Sequence, residues 1–244
     1  MRPAAILTAL GLALGAAALS AGAAAETVDV ELVLAADGSG SIDDAELRLQ
    51  REGYANALAS PQVLDAIRSG GHGAVAVAFV EWGGPGSHHV IVDWRIVRDE
   101  ASARAFGEAL LAAPRRAQGY NDIAGTIDFS RRLIETNAHE GARKVIDVSG
   151  DGPNINGRPV TAARDEAVLA GITVNALAID PNRRGQQLDR YYESEVIGGW
   201  GSFVMVAENR EAFGRAVLAK LVREIAAAPP PAPRVQRVAA LAGE

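Results

Sequence analysis

From Val28 to Ala207, apolar runs of strand length alternate with segments of helical periodicity, and the first run stops at Asp37-Gly38-Ser39-Gly40-Ser41. VDVELVLAA, residues 28–36, begins by alternating and ends continuously apolar, as a strand does when it becomes covered on both faces. Asp43 with Glu46 three residues later resembles a capping box, and Asp44 to Ala59 carries Leu47, Gln50, Tyr54 and Leu58 at helical spacing. Ala74 to Trp82 and His88 to Trp94 are alternating runs separated by Gly83-Gly84-Pro85-Gly86-Ser87, which predicts a hairpin and one antiparallel edge strand. Asp99 then caps a helix to about Ala113, Pro114 to Tyr120 form a loop, and another helix runs from near Asp122 to Asn137. Strands at Arg143–Val148, Ile172–Ile179 and Ser202–Ala207 then alternate with helices at Val160–Ala170, Leu188–Val196 and from the Asn209 cap to about Ala228. Such alternation predicts the α/β class: a Rossmann-like, doubly wound, mostly parallel sheet with one antiparallel edge strand and helices on both faces.

Charge excludes one kind of partner. Lys and Arg number 24 against 30 Asp and Glu, a formal net charge of −6, and that balance argues against nucleic acid. Residues 1–25 read as a signal peptide: Arg2 is followed by an apolar stretch from Pro3 to Leu19 and by the small-residue pattern Ala23-Ala24-Ala25. An uncleaved membrane anchor is the alternative, because Pro3 to Ala25 is nearly long enough to span a bilayer. With cleavage, the expected location is periplasmic or secreted, with no membrane span left. The chain has no cysteine, so an exported form must be held by its core. One domain is expected over 26–228, followed by a proline-rich flexible tail at 229–244 that opens Pro229-Pro230-Pro231-Ala232-Pro233.

Asp37, Ser39 and Ser41 stand one residue apart on a glycine-containing turn that can aim their oxygens at one hard cation. Ser149-Gly150-Asp151-Gly152 offers a second carboxylate just past the strand at 143–148, and Gly119-Tyr120-Asn121-Asp122 opens the helix between. In open α/β sheets such loops meet where the winding direction reverses. The plainer reading is that Asp37 and the serines only cap a helix. His72, His88, His89 and His139 have no carboxylate or cysteine at ligand spacing, and the adjacent pair projects to opposite strand faces, so they are read as surface or satisfied residues. Trp200, in Gly198-Gly199-Trp200-Gly201, is a candidate to flank the site.

These motifs resemble the von Willebrand factor type A domain, whose metal-ion-dependent adhesion site uses Asp-x-Ser-x-Ser, a threonine in a second loop and an aspartate in a third. The resemblance covers roughly Glu26 to Ala228 and extends to an uncharacterised group of exported bacterial proteins through SGSIDDAELRLQREGYANAL, IDVSGDGPNINGR and VIGGWGSFVMVAENREAFGRAVLAKLVREI. It implies that Ser39 and Ser41 ligate a divalent cation directly and that Asp37 and Asp151 do so directly or through water. Hard oxygen donors favour Mg²⁺ first, with Ca²⁺ or Mn²⁺ as alternatives. The chain departs from the family at the threonine, where Asn121 stands, with Asp122 beside it and Thr126 too far into the helix to substitute. The function implied is binding of a partner protein whose acidic side chain completes the metal's coordination, without catalysis. Loops Gly83 to Ser87, Pro153 to Arg158 and Pro181 to Gln186 would form the rim. A phosphohydrolase using Asp37 is a weaker alternative, since Ser39 replaces the second aspartate such chemistry needs. The remaining alternative is a metal-free scaffold acting through loops or tail.

Overall fold

The computed structural model describes residues 26–179 and 187–227. The leader at 1–25, the tail at 229–244 and the rim loop from Pro181 to Gln186 lie outside the described residues. In chain order the elements are β1 (Thr27–Asp37), α1 (Asp44–Leu58), α2 (Pro61–Arg68), β2 (Val75–Trp82), β3 (His88–Val97), α3 (Glu100–Ala112) and α4 (Ile123–Thr136). They continue with β4 (Glu140–Gly150), α5 (Val160–Leu169), β5 (Ile172–Ile179), α6 (Leu188–Tyr191), a π-helical turn (Tyr192–Val196), β6 (Val204–Ala207) and α7 (Arg210–Ala226). The sheet order is β3-β2-β1-β4-β5-β6, parallel except for β3, which pairs antiparallel with β2 at the edge.

Alternate residues of β1 divide the core in two. Val30, Leu32, Leu34 and Ala36 face α1, α2, α3 and α7, whereas Val33 and Ala35 face α4 and α5. Both faces of the central strand are therefore dry, which is why its second half reads as an unbroken apolar run. The first half alternates for a different reason. Glu31 is fully buried, but its carboxylate accepts from Gly141 N (2.7 Å) and Asn137 Nδ2 (2.6 Å), which satisfies a charge in the middle of the sheet. That contact belongs to an extension of β4, which starts at Glu140 rather than at Arg143.

No element is expected between Ala59 and Ala74, yet α2 lies there. Eight residues are too few for a stable isolated helix, so tertiary burial must supply the difference. Val63 and Ile67 are fully buried on the face covered by α7, and side chains of that size contribute about 1.5–3 kcal/mol each when buried. The signal was present: Ser60 Oγ accepts from Val63 N at 3.3 Å and Pro61 occupies the first turn. The other expected elements are found, with α6 passing into the π-helical turn where one helix is expected over Leu188–Val196.

Candidate metal centre

β1 and β4 are neighbours from which the chain winds in opposite directions, so their carboxyl ends frame the crevice of a doubly wound sheet. Register carries Asp37 and the start of the β4–α5 loop to the same level: Ala36 pairs with Ser149, and Asp37 pairs with Trp82 on its other side. The side chains then meet. Asp37 Oδ1 accepts from Ser39 N at 2.8 Å, Ser39 Oγ lies 3.0 Å from Ser41 Oγ, and Ser41 Oγ donates to Asp151 Oδ1 at 2.9 Å. Asp37 Oδ2 accepts from Asp151 N at 3.4 Å. The capping explanation of this turn does not hold, because α1 has its own cap: Asp43 accepts from Glu46 N and Glu46 reaches back to Asp43 N, both at 2.8 Å.

Asp37 is fully buried, and burial first, then the nearby charge of Asp151, pushes its carboxyl up to about 7. Two carboxylates are thus forced together among hydroxyls, an arrangement that a divalent cation relieves and that supplies only oxygen donors. The donor set therefore fits a hard cation. Among the described residues no three His, Cys, Asp or Glu side chains form a metal-holding group, so the donors here are two carboxylates supplemented by hydroxyls.

The second loop comes to the same place. Gly40 N donates to Gly119 O at 2.8 Å, a carbonyl presented by a glycine at φ +79°. Asn121 is buried and its Nδ2 donates to Pro153 O at 3.2 Å, which leaves Oδ1 as the oxygen it can offer. A Cβ at Gly152 would stand 2.4 Å from that nitrogen, so the third loop passes directly over Asn121. Asp122 is already engaged: it caps α4 through Gly125 N at 2.9 Å and sits 3.6 Å from His88 Nε2. Thr126 Oγ1 turns back to Asp122 O at 2.8 Å. His88 stacks on Phe129 and His89 lies by Ser87, as histidines with structural partners.

Several supporting residues escape a reading by motif. Arg115 Nη2 lies 2.8–2.9 Å from the carbonyls of Gly38, Ser39 and Ile42, while its Nη1 donates to Asp44, so one guanidinium clamps the loop after β1 from outside. The segment carrying Arg115 is fixed in turn by the buried pair of Arg51 and Glu81. Arg51 donates to Glu81 and to the carbonyls of Leu110, Ala113 and Pro114, and Glu81 accepts from Arg116 N. Beneath the site, Trp82 is fully buried, donates to Ala35 O at 3.1 Å and lies against Gly150, where a Cβ would meet its ring at 3.0 Å. Tyr192 OH donates to Gly152 O at 3.1 Å. These partners are dozens of residues apart, beyond any spacing rule.

Trp200 does not flank the site. It precedes β6, so it stands at the amino end of the parallel strands, 58% exposed, in a groove with Lys144, Thr173 and Phe203. The loops Gly83–Ser87 and Pro153–Arg158 follow the carboxyl ends of β2 and β4 and do lie at the rim.

The family described as "Protein of unknown function (DUF1194)" matches residues 27–229. No curated protein matches the chain. Among solved structures, the pilus adhesin SpaC from Lactobacillus rhamnosus GG is similar, with 14% identity, a TM-score of 0.58, and 81% of this chain and 31% of that one covered. Proximal thread matrix protein 1 from the mussel byssus, in a form with a zinc-occupied MIDAS motif, gives 12% identity and a TM-score of 0.60 over 83% of this chain and 49% of that one. A von Willebrand factor type A protein from Catenulispora acidiphila gives 15% identity and a TM-score of 0.54, over 83% and 43% respectively. The chain spans between 31% and 49% of the length of these proteins. At such identities the likeness is one of fold, and the fold is that of von Willebrand factor A domains.

Proposed function

The chain belongs to the DUF1194 family and has a von Willebrand factor A fold, and from that premise we propose that it is an exported domain that binds a partner protein through a divalent cation. Asp37 and Asp151 would hold the cation with charge, Ser39 and Ser41 with neutral oxygens, and Asn121 with its amide oxygen in place of the family's threonine. When bound, the cation supplies a coordination position for an acidic side chain of the partner. Mg²⁺ is the expected ion, with Ca²⁺ or Mn²⁺ as alternatives. The observation that carries this reading is the 2.9 Å bond from Ser41 to Asp151, which joins residues 110 apart in sequence beside a buried Asp37. Similar folds occur in a pilus adhesin and a byssal matrix protein, in keeping with a binding role. Export rests on the reading of the leader, and a signal-peptide deletion that leaves the protein in the cytoplasm would support it.

The direct test is calorimetric titration of the metal-stripped protein with Mg²⁺, Ca²⁺ and Mn²⁺ beside Asp37→Ala. Heat in the parent that vanishes in the variant, with its circular dichroism unchanged, is the expected result. Equal affinity in the two proteins would overturn the assignment.

A further inference from the structure

Next to the candidate centre, the β2–β3 loop and the loop before α4 border a shallow, open cavity of about 490 Å³. In a chain with 30 acidic residues, none of the described residues lining it is acidic. The charge it presents is cationic. Arg116 is exposed, its backbone N is held by Glu81 at 3.2 Å, and its guanidinium has no ion pair among the described residues. His89 lines the same wall with Nε2 3.4 Å from Ser87 Oγ, and Ser87 Oγ accepts from Gln118 N at 2.8 Å. Tyr120 connects the cavity to the metal loop: it is 57% exposed and lines the cavity, and its ring is close enough to Gly40 that a Cβ there would lie 3.1 Å away. The groove at the opposite end of the sheet, by contrast, mixes Arg143 and Lys144 with Glu224 and selects no charge.

We propose that this cavity is a second carboxylate-binding subsite, so that the partner is an extended protein segment with two acidic side chains, one directed to the cation and one to Arg116. The proposal rests on the metal-dependent reading above. A guanidinium receives a carboxylate as a fork, and Tyr120 offers an aromatic surface for the residues between the two acids. A net acidic protein that captures an acidic segment needs such local cations to offset repulsion from the rest of its surface.

Fluorescein-labelled glycine peptides test it by anisotropy in Mg²⁺: one carries a single aspartate, and a series carries a second aspartate at increasing spacing. The best-spaced peptide should bind roughly tenfold tighter than the single-aspartate peptide, the worth of one charge-assisted contact. Arg116→Ala should abolish that advantage and leave single-aspartate binding unchanged, whereas Asp37→Ala should abolish both. If the advantage survives in Arg116→Ala, or no spacing gives one while the single-aspartate peptide still binds, the subsite is refuted and the metal reading stands. Mg²⁺ heat without capture of any peptide likewise refutes the subsite. Absence of both Mg²⁺ heat and peptide capture refutes the metal reading, and the subsite with it.

Discussion

At Asp37 a proton and a cation compete for one carboxylate. Its carboxyl is raised from an ordinary 3.8 to about 7, chiefly by burial, and that of Asp147 is raised to a similar level by burial and the neighbouring Glu224. Between those limits the metal-free folded protein keeps protons that the unfolded chain has already released, so its stability falls as pH rises through the window and levels off above it. Scanning calorimetry without metal should therefore give a higher Tm at pH 5 than at pH 8. Mg²⁺ affinity should move the other way and strengthen from pH 6 to pH 8, because the proton on Asp37 must leave. Ser39→Ala, which removes one neutral oxygen, should weaken Mg²⁺ by about tenfold without abolishing binding, as titration would show. Arg115→Ala should also weaken it, although Arg115 donates only to carbonyls and to Asp44, and Arg115→Lys should restore only part of the loss, because an ammonium keeps the charge but lacks the planar fork. That Asp37, Ser39, Ser41 and Asp151 come together was legible because the Asp-x-Ser-x-Ser run and Ser149-Gly150-Asp151-Gly152 each follow an expected strand of an alternating α/β chain, whose loops meet at one end of the sheet. Arg115 was not, since a guanidinium that clamps carbonyls leaves no pattern in its own neighbourhood.

Among the elements, α1 and α7 show opposite kinds of stabilisation. The start of α1 is local: Asp43 and Glu46 satisfy each other's backbone N–H, and Asp43→Ala should cost about 1 kcal/mol in urea unfolding. The docking of α7 is non-local, and beside its apolar face of Phe213, Val217, Leu221 and Ile225 it carries a buried polar cluster. Lys220 lies between Asp147 (2.6 Å) and Glu224 (2.5 Å), all three about 1% exposed, and Asn175 Nδ2 donates to Glu224 at 2.9 Å. Lys220→Met leaves two carboxylates facing one another in the core, which should cost about 3 kcal/mol. The loss should be smaller at pH 5 than at pH 8, where Asp147 can no longer stay neutral. Helices such as α1 were readable because cap and period lie within one turn. α2 shows a cap and a first-turn proline in Ser60 and Pro61, but at eight residues its apolar side chains gain stability only once α7 covers them, some 150 residues later in the chain, so the cap signal alone did not mark it as a helix.

For the molecule as a whole, both cores share one sheet, and β1 contributes to each. A ligand held where β1 and β4 end therefore stabilises everything those strands hold together. Mg²⁺ at a hundredfold over its Kd should add about 2.7 kcal/mol to unfolding, and EDTA should remove that increment in a single cooperative transition. Two transitions of which only one responds to EDTA would contradict this coupling. The strand order was legible in outline, since alternation of strands and helices with one hairpin leaves few arrangements. What sequence did not reveal was how the second loop is seated: that Asn121 lies beneath Gly152 while Asp122 serves α4 depends on backbone packing between distant segments.

Trp82 gives this architecture a practical optical consequence. It is fully buried, pairs in register with Asp37 and lies against Gly150, whereas Trp200 is more than half exposed at the other end of the sheet. The protein thus carries an internal fluorophore beneath its candidate metal loops and a spectrally red-shifted control remote from them. Trp94, half-buried against the core, is the third tryptophan; with it replaced as Trp94→Phe, emission at the blue edge should report events at Asp37 and Asp151 without a label, and collisional quenchers should silence Trp200 while leaving that signal intact.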